Sequence, residues 1–146
     1  MTPEEKQLLL TALCGYLPYK VKCFAEDREY GDLGTLYSID PFENLDPNIY
    51  IQYDKGNVIS FFTSEIKPYL RPMSSMTDEE KREYYSFIGG QQPFDFDFSA
   101  YPTEYKFIYE WDVVNYVKWL NSHHLDYLGL IEKDLAIKAP NGMYEI

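Results

Sequence analysis

The chain has 146 residues and a formal net charge of −11, from 13 Lys and Arg against 24 Asp and Glu. By direct count the excess is about −4 before Ser74 and about −7 after it, so no basic stripe is present to neutralise phosphates and direct nucleic-acid binding is disfavoured. Hydrophobic residues at 45% and aromatics at 18%, with 15 Tyr and 9 Phe, exclude a disordered chain and suit one compact domain over 1–146.

Thr2-Pro3-Glu4-Glu5 reads as a helix start, with a capping hydroxyl, a proline at the first helical position and a glutamate three residues beyond the cap. Leu8, Leu9, Ala12, Leu13 and Tyr16 then share one face, and Gly15 with Pro18 marks the end. The same acidic start is unlike a signal peptide, and no apolar run reaches membrane-spanning length, so a cytoplasmic protein without membrane contact is expected. Cys14 and Cys23, nine positions apart, fit neither a CxxC motif nor a zinc pair and are expected as buried reduced thiols.

From Lys20 to Phe62 the period is two. Val21, Cys23 and Ala25 alternate with polar or outward positions, Thr35 to Ile39 is a second β-prone run, and Ile49, Ile51 and Tyr53 form a third. Asp54-Lys55-Gly56-Asn57 is a tight turn into Val58–Phe62. The stretches from Asp27 to Gly34 and from Asp40 to Asn48 are expected to be loops. The pattern predicts an α+β fold in which a small antiparallel four-stranded sheet, curled in one version into an SH3-like barrel, packs against three to four helices.

The segment Ile66–Thr77 contains Pro68 and Pro72, which fix their own φ and push Lys67 and Arg71 from the α region. It is expected to be a rigid junction without regular structure, joining a helix-plus-strand half (1–66) to a mainly helical half (78–146), with Lys67, Pro68, Tyr69, Arg71 and Pro72 as its structural or interaction residues. Lys67 and Arg71 call for internal ion pairs or an acidic partner. Ser74 and Ser75 lie near these cations, but serines before a capped helix ordinarily bond the turn backbone.

Thr77-Asp78-Glu79-Glu80 repeats the capping pattern and starts a second helix running to Ile88 before Gly89-Gly90. Asp95 and Asp97 alternate with Phe94, Phe96 and Phe98, which reads as a half-buried edge strand rather than the start of a cation site. A third helix spans about Asp112 to Ser122, with Val113, Val114, Val117 and Leu120 on its apolar face. A short helix and an extension, with a turn at Pro140-Asn141-Gly142, complete the chain.

Chemistry-bearing motifs are sparse. Adjacent histidines on a helix point about 100° apart, unlike the i, i+4 pair of a zinc protease, so His123 and His124 read first as caps for a helix end. Asp126 could orient one imidazole, and His123, His124 and Asp126 are the residues on which a small hydrolase or nucleotide-handling enzyme would depend. No glycine pattern for nucleotides is present, and neither a metal nor a cofactor is expected. The favoured reading is a protein–protein interaction module without catalysis; an acidic DNA mimic is the third possibility.

Three stretches carry a resemblance. They are Glu4-Glu5-Lys6-Gln7-Leu8-Leu9-Leu10 with Leu13-Cys14 and Leu17-Pro18-Tyr19, the segment Ile66–Thr77, and the tail from Trp119-Leu120-Asn121 through Met143-Tyr144. Together they resemble a family of small uncharacterised proteins of gut Bacteroides-group bacteria, their prophages and phages. The chain departs from that family's tail at Leu125 in place of an aromatic, Leu128 in place of arginine and Asn141 in place of an acidic residue. The resemblance implies a phage or prophage origin and a host or phage protein as partner, and it supplies no activity.

Overall fold

The computed structural model describes residues 1–40, 47–87 and 110–144, except for the side chains of residues 87 and 110–112. Helix α1 spans Pro3–Tyr16 and begins with the expected reciprocal cap: the Glu5 N–H donates to the Thr2 hydroxyl and the Thr2 N–H to the Glu5 carboxylate. The hydrogen bonds to the Thr2 backbone and side chain hold the Glu5 carboxyl below its ordinary range, against a smaller opposing effect of desolvation. Leu9, Ala12, Leu13 and Tyr16 are buried, at the i, i+3, i+4, i+7 spacing of one helix face.

Among the described residues six strands follow: β1 (Lys22–Asp27), β2 (Gly31–Asp40), β3 (Asn48–Gln52), β4 (Val58–Phe61), β5 (Ile66–Leu70) and β6 (Ile137–Lys138). They form one open sheet in the order β4-β3-β2-β1-β5-β6, antiparallel except for the parallel β5–β6 pair. Six strands replace the four expected from the sequence, and because β4 and β6 are edges on opposite sides the sheet is open rather than a closed SH3-like barrel. Glycines and aspartates disguised the start of β2: Gly31–Gly34, expected in a loop, is already paired with β1. The expected loop from Asp40 to Asn48 falls mostly on residues 41–46, outside the described residues.

The proline-bearing junction needs the largest correction. Ile66–Leu70 is a strand inside the sheet, paired with β1 on one side and β6 on the other. Strand alternation explains how it tolerates Pro68. The Leu70 carbonyl accepts from the Ala139 N–H at 2.8 Å, so even-numbered residues direct their backbone groups toward β6 and odd-numbered ones toward β1. Pro68 therefore lacks its N–H on the side away from β1, one step before β6 pairing begins at Tyr69. Only Met73–Ser75, a single 3-10 turn, and its flanks keep the irregular character expected of the whole segment.

Helix α2 (Asp78–Phe87) starts with a second reciprocal cap: Thr77 N–H donates to Glu80 Oε1 at 2.8 Å, and Glu80 N–H to Thr77 Oγ1 at 3.1 Å. Helix α3 spans Glu110–Ser122. Residues 125–144 form turns and β6, not the short helix expected. The Gly89-Gly90 stop and the Phe94–Phe98 alternation with Asp95 and Asp97 lie outside the described residues.

Two apolar clusters result. One joins α1 to the inner sheet face through Leu13, Tyr16, Ile49, Ile51, Ile66 and Leu70; the other joins α2 and α3 through Met73, Met76, Tyr84, Tyr85, Tyr116, Leu120 and Leu125. Tyr127 packs against both. Cys23 belongs to the first cluster and its thiol is pushed up to about 12 by burial, whereas Cys14 is exposed on α1, contrary to the expectation of two buried thiols.

Close packing under β2 gives a testable consequence. A Cβ built on Gly34 would lie 2.2 Å from Ile51 Cγ2, a buried side chain of the neighbouring strand. Gly34→Ala is expected to lower the unfolding free energy by about 1–3 kcal/mol through overpacking, despite alanine's lower backbone entropy cost. Urea denaturation reads the effect, and an unchanged midpoint would show that β2 and β3 separate at no cost.

Candidate functional site

Residues that sequence reasoning placed in two groups meet where β5 ends. Arg71 follows β5 directly, and its backbone bridges to Leu125: its N–H donates to the His124 carbonyl at 2.8 Å and its carbonyl accepts from the Asp126 N–H at 2.8 Å. The β1-facing edge of this strand is thus served in turn by β1, by a tyrosine hydroxyl described below, and by the backbone of His124–Asp126.

The Arg71 side chain is 6% exposed in total residue terms and Glu80 4%, a burial that demands full pairing. Arg71 Nη1 donates to Glu80 Oε2 and Nη2 to Glu80 Oε1, both at 2.8 Å, a two-pronged contact suited to a planar guanidinium. Nη1 also reaches the His123 carbonyl and Nη2 the Ser75 carbonyl, each at 3.2 Å. Burial pushes the Glu80 carboxyl up, but the Arg71 hydrogen bonds, the Thr77 N–H and the nearby positive charge together hold it below its ordinary range. This one pair ties β5, the 3-10 turn, α2 and the end of α3 to each other.

The histidines occupy the end of α3. The His124 N–H donates to the Asn121 carbonyl and the Leu125 N–H to the Leu120 carbonyl, with His124 at φ 56°: a Schellman ending in which histidine takes the left-handed position that glycine usually fills. His123 Nδ1 lies 2.9 Å from the Trp119 carbonyl and His124 Nε2 2.7 Å from the Tyr19 carbonyl. A carbonyl only accepts, so Nδ1 of His123 and Nε2 of His124 carry protons, and the other nitrogen of either ring accepts when that ring is neutral. Desolvation, with Arg71 and His123 adding to it, lowers the His124 pKa against the opposing pull of the Tyr19 carbonyl, which keeps the ring neutral near pH 7.

Ser122, His123 and Glu80 have the residue types of a hydrolase triad, but the protons are in the wrong places. His123 Nδ1, 3.1 Å from Ser122 Oγ, is committed as a donor to Trp119, and Ser122 Oγ donates to the same carbonyl at 2.8 Å. Nδ1 therefore has no lone pair with which to take the serine proton. Asp126 is turned elsewhere. Its Oδ1 accepts from the Leu130 N–H at 2.8 Å and its Oδ2 from the Ile131 N–H at 3.0 Å, so it shapes a turn and orients neither imidazole.

The remaining sequence-selected residues are dispersed. Lys67 Nζ pairs with Asp134 Oδ1 at 2.8 Å near the surface, Pro68 is buried in the sheet, and Pro72 flanks a cavity of about 230 Å³ that Lys138 and Tyr144 also line. Tyr69 offers its carbonyl to the Tyr144 hydroxyl at 2.8 Å, and that hydroxyl also accepts from the Lys22 N–H at 2.8 Å. Tyr144 thus stands in for the next rung of the β1–β5 ladder while its ring stacks on His124, centroids 3.8 Å apart and planes 10° apart. Desolvation drives its hydroxyl pKa far up, so it remains a donor throughout the working pH range. Nothing in the spacing of Tyr144 announces this role, since its partners are 75 and 122 residues away.

Tyr144→Phe keeps the stacked ring and removes the rung. It is expected to cost about 1–3 kcal/mol, the usual penalty for depriving part-buried polar groups of their partner. Hydrogen exchange should speed up first at Lys22; exchange unchanged there would show that water replaces the hydroxyl without loss.

Around the Arg71–Glu80 pair lies a cleft of about 340 Å³ lined by Thr77, Glu79, Glu83, Ser122, both histidines and Tyr144. Among the described residues no group of three or more His, Cys, Asp or Glu is arranged to hold a metal ion, and no helix is long and apolar enough to cross a membrane. Comparison with protein-family models, curated proteins and solved structures gives no match.

Proposed function

We propose that the protein acts by binding another protein, a host or phage component of the bacterial cytoplasm, and performs no catalysis of its own. One observation carries the reading: Arg71, Glu80, Asp126 and Nδ1 of His123, the groups on which catalysis where β5 meets the helices would depend, are committed to the protein's own structure. Arg71 makes four polar contacts, Glu80 uses both oxygens on Arg71, Asp126 uses both on backbone N–H groups, and His123 Nδ1 is spent as a donor. The hydrolase reading built on His123, His124 and Asp126 has no base aimed at a nucleophile.

Exposed side chains add support. Register pairs Phe24 with Leu33 and Gln52 with Val58, so Leu33 and Val58 share the sheet face opposite α1, and both are exposed together with Tyr37. Apolar and tyrosine side chains in such positions are common in recognition surfaces.

The test is competitive capture from host lysate with immobilised full-length protein. The expected result is a protein retained in stoichiometric amount, released by excess untagged protein and not by duplex DNA. Absence of any competable protein overturns the proposal. Release by duplex DNA would instead favour the acidic DNA mimic.

A further inference from the structure

We propose that the cleft between α2 and the end of α3 receives an arginine side chain of the partner protein. The inference rests on the protein-binding reading above and assigns its chemistry to one place. The cleft is large enough, at about 340 Å³, to admit a guanidinium and part of its stem.

Its walls are rich in acceptors. His123 and His124 have their protonated nitrogens fixed on the Trp119 and Tyr19 carbonyls, which leaves Nε2 of His123 and Nδ1 of His124 as lone pairs. His123 Nε2 is 3.8 Å from Glu80 Oε2, too far for a hydrogen bond, and no donor among the described residues meets it. Glu83 Oε2 accepts from Trp119 Nε1 at 2.6 Å, which anchors that carboxylate with its second oxygen available. Glu79 is exposed, one turn from Glu83 on the same helix face.

The charge is also unbalanced. Among the described residues, three carboxylates, of Glu79, Glu80 and Glu83, line the cleft against one guanidinium, and that guanidinium is already neutralised by Glu80. Two glutamates at i, i+4 repel, so a bound cation would relieve a local cost to α2. Neighbouring cations of α2 turn to its first residue: Lys81 Nζ lies 3.9 Å from Asp78 Oδ1 and Arg82 Nε donates to the Asp78 carbonyl at 3.3 Å.

Arginine suits the cleft better than lysine. Its planar, multiple N–H donors match dispersed acceptors, and it stacks on flat rings such as the His124–Tyr144 pair. Arg71 and Glu80 below the cleft already form the same kind of contact within the chain.

The experiment is a ¹H–¹⁵N NMR titration of the full chain with Nα-acetyl-arginine amide, alongside the lysine analogue and the neutral isostere Nα-acetyl-citrulline amide. Saturable shifts centred on Glu79, Glu83, His123 and His124 are expected with arginine, weaker ones with lysine and none with citrulline. Glu79→Gln/Glu83→Gln, which keeps an acceptor for Trp119, should weaken arginine binding at least tenfold without lowering the melting temperature. Equal response to citrulline, shifts that survive the double substitution, or no saturable shift would overturn the proposal. A stronger response to lysine would replace arginine as the occupant and so overturn it too.

The same double variant in the capture experiment separates the two readings. Partner retained with no arginine-amide binding ends the cleft assignment alone. Arginine-amide binding with no competable partner ends the protein-binding reading alone.

Discussion

Arg71→Met and Glu80→Leu are each expected to lower the unfolding free energy by about 3–5 kcal/mol, because each leaves the opposite charge buried without its partner. With roughly 2–4 °C of melting temperature per kcal/mol for a chain of this size, either change is a loss on the order of 10 °C. The double variant Arg71→Met/Glu80→Leu should regain much of this. Both charges are then gone, and what remains is the Ser75 and His123 carbonyls losing a donor and the Thr77 N–H losing its cap acceptor, about 1–3 kcal/mol. A double-mutant cycle from chemical denaturation reads the coupling; additive losses would mean that the pair does not act as a unit.

The pair also predicts a pH dependence with a definite sign. The folded pKa of Glu80 lies below its unfolded value of about 4.3, so its stabilisation is present above that value and is lost as pH falls through the folded pKa. Asp126 acts in the opposite sense. Desolvation outweighs the backbone N–H groups of Ile131, Leu130 and Gly129 and raises its pKa, so its contribution grows as pH falls through the folded value. Comparing wild type with Glu80→Leu between pH 7 and pH 3 isolates the Glu80 part, and the variant should lose less stability on acidification. An equal slope would place the acid sensitivity elsewhere.

Local signals in the sequence were legible where the physics is local. Thr2 with Glu5 and Thr77 with Glu80 are reciprocal caps whose partners lie three residues apart, and both helices start there. The turn at Asp54–Asn57 sets β3 against β4, with Gly56 at φ 89°. The strand at Ile66–Leu70 was hidden because proline is a poor strand former unless its missing N–H faces away from the neighbouring strand, a condition that depends on β1 and β6 and not on nearby residues. The two-residue β6 has no periodicity to detect. At the cleft, Glu80 was visible as a cap but not as the partner of Arg71, since the eight residues between them include a 3-10 turn that brings the two together. His123 and His124 share a motif in the sequence, yet Asp126 beside them faces a different turn.

Tyr16→Ala is expected to produce a loss of similar size, about 3–5 kcal/mol, for a different reason. Tyr16 is fully buried at the end of α1 in the cluster beneath the sheet, and its hydroxyl donates to the carbonyl of Leu125, which belongs to the cluster between α2 and α3. It therefore couples the two apolar clusters through a contact separate from the Arg71–Glu80 pair. The ring supplies most of the effect. Tyr16→Phe should cost only about 0.5–1.5 kcal/mol, because the Leu125 carbonyl keeps the Tyr127 N–H at 3.1 Å as a donor. Desolvation raises the Tyr16 hydroxyl well above its ordinary value, so the bond persists at every pH where the protein is folded and the phenylalanine deficit should not vary with pH. Comparing the two variants by calorimetry separates ring from hydroxyl. If alanine and phenylalanine gave the same small loss, the clusters would be joined through Tyr127 and the Arg71–Glu80 pair alone, and the end of α1 would be dispensable to that joint.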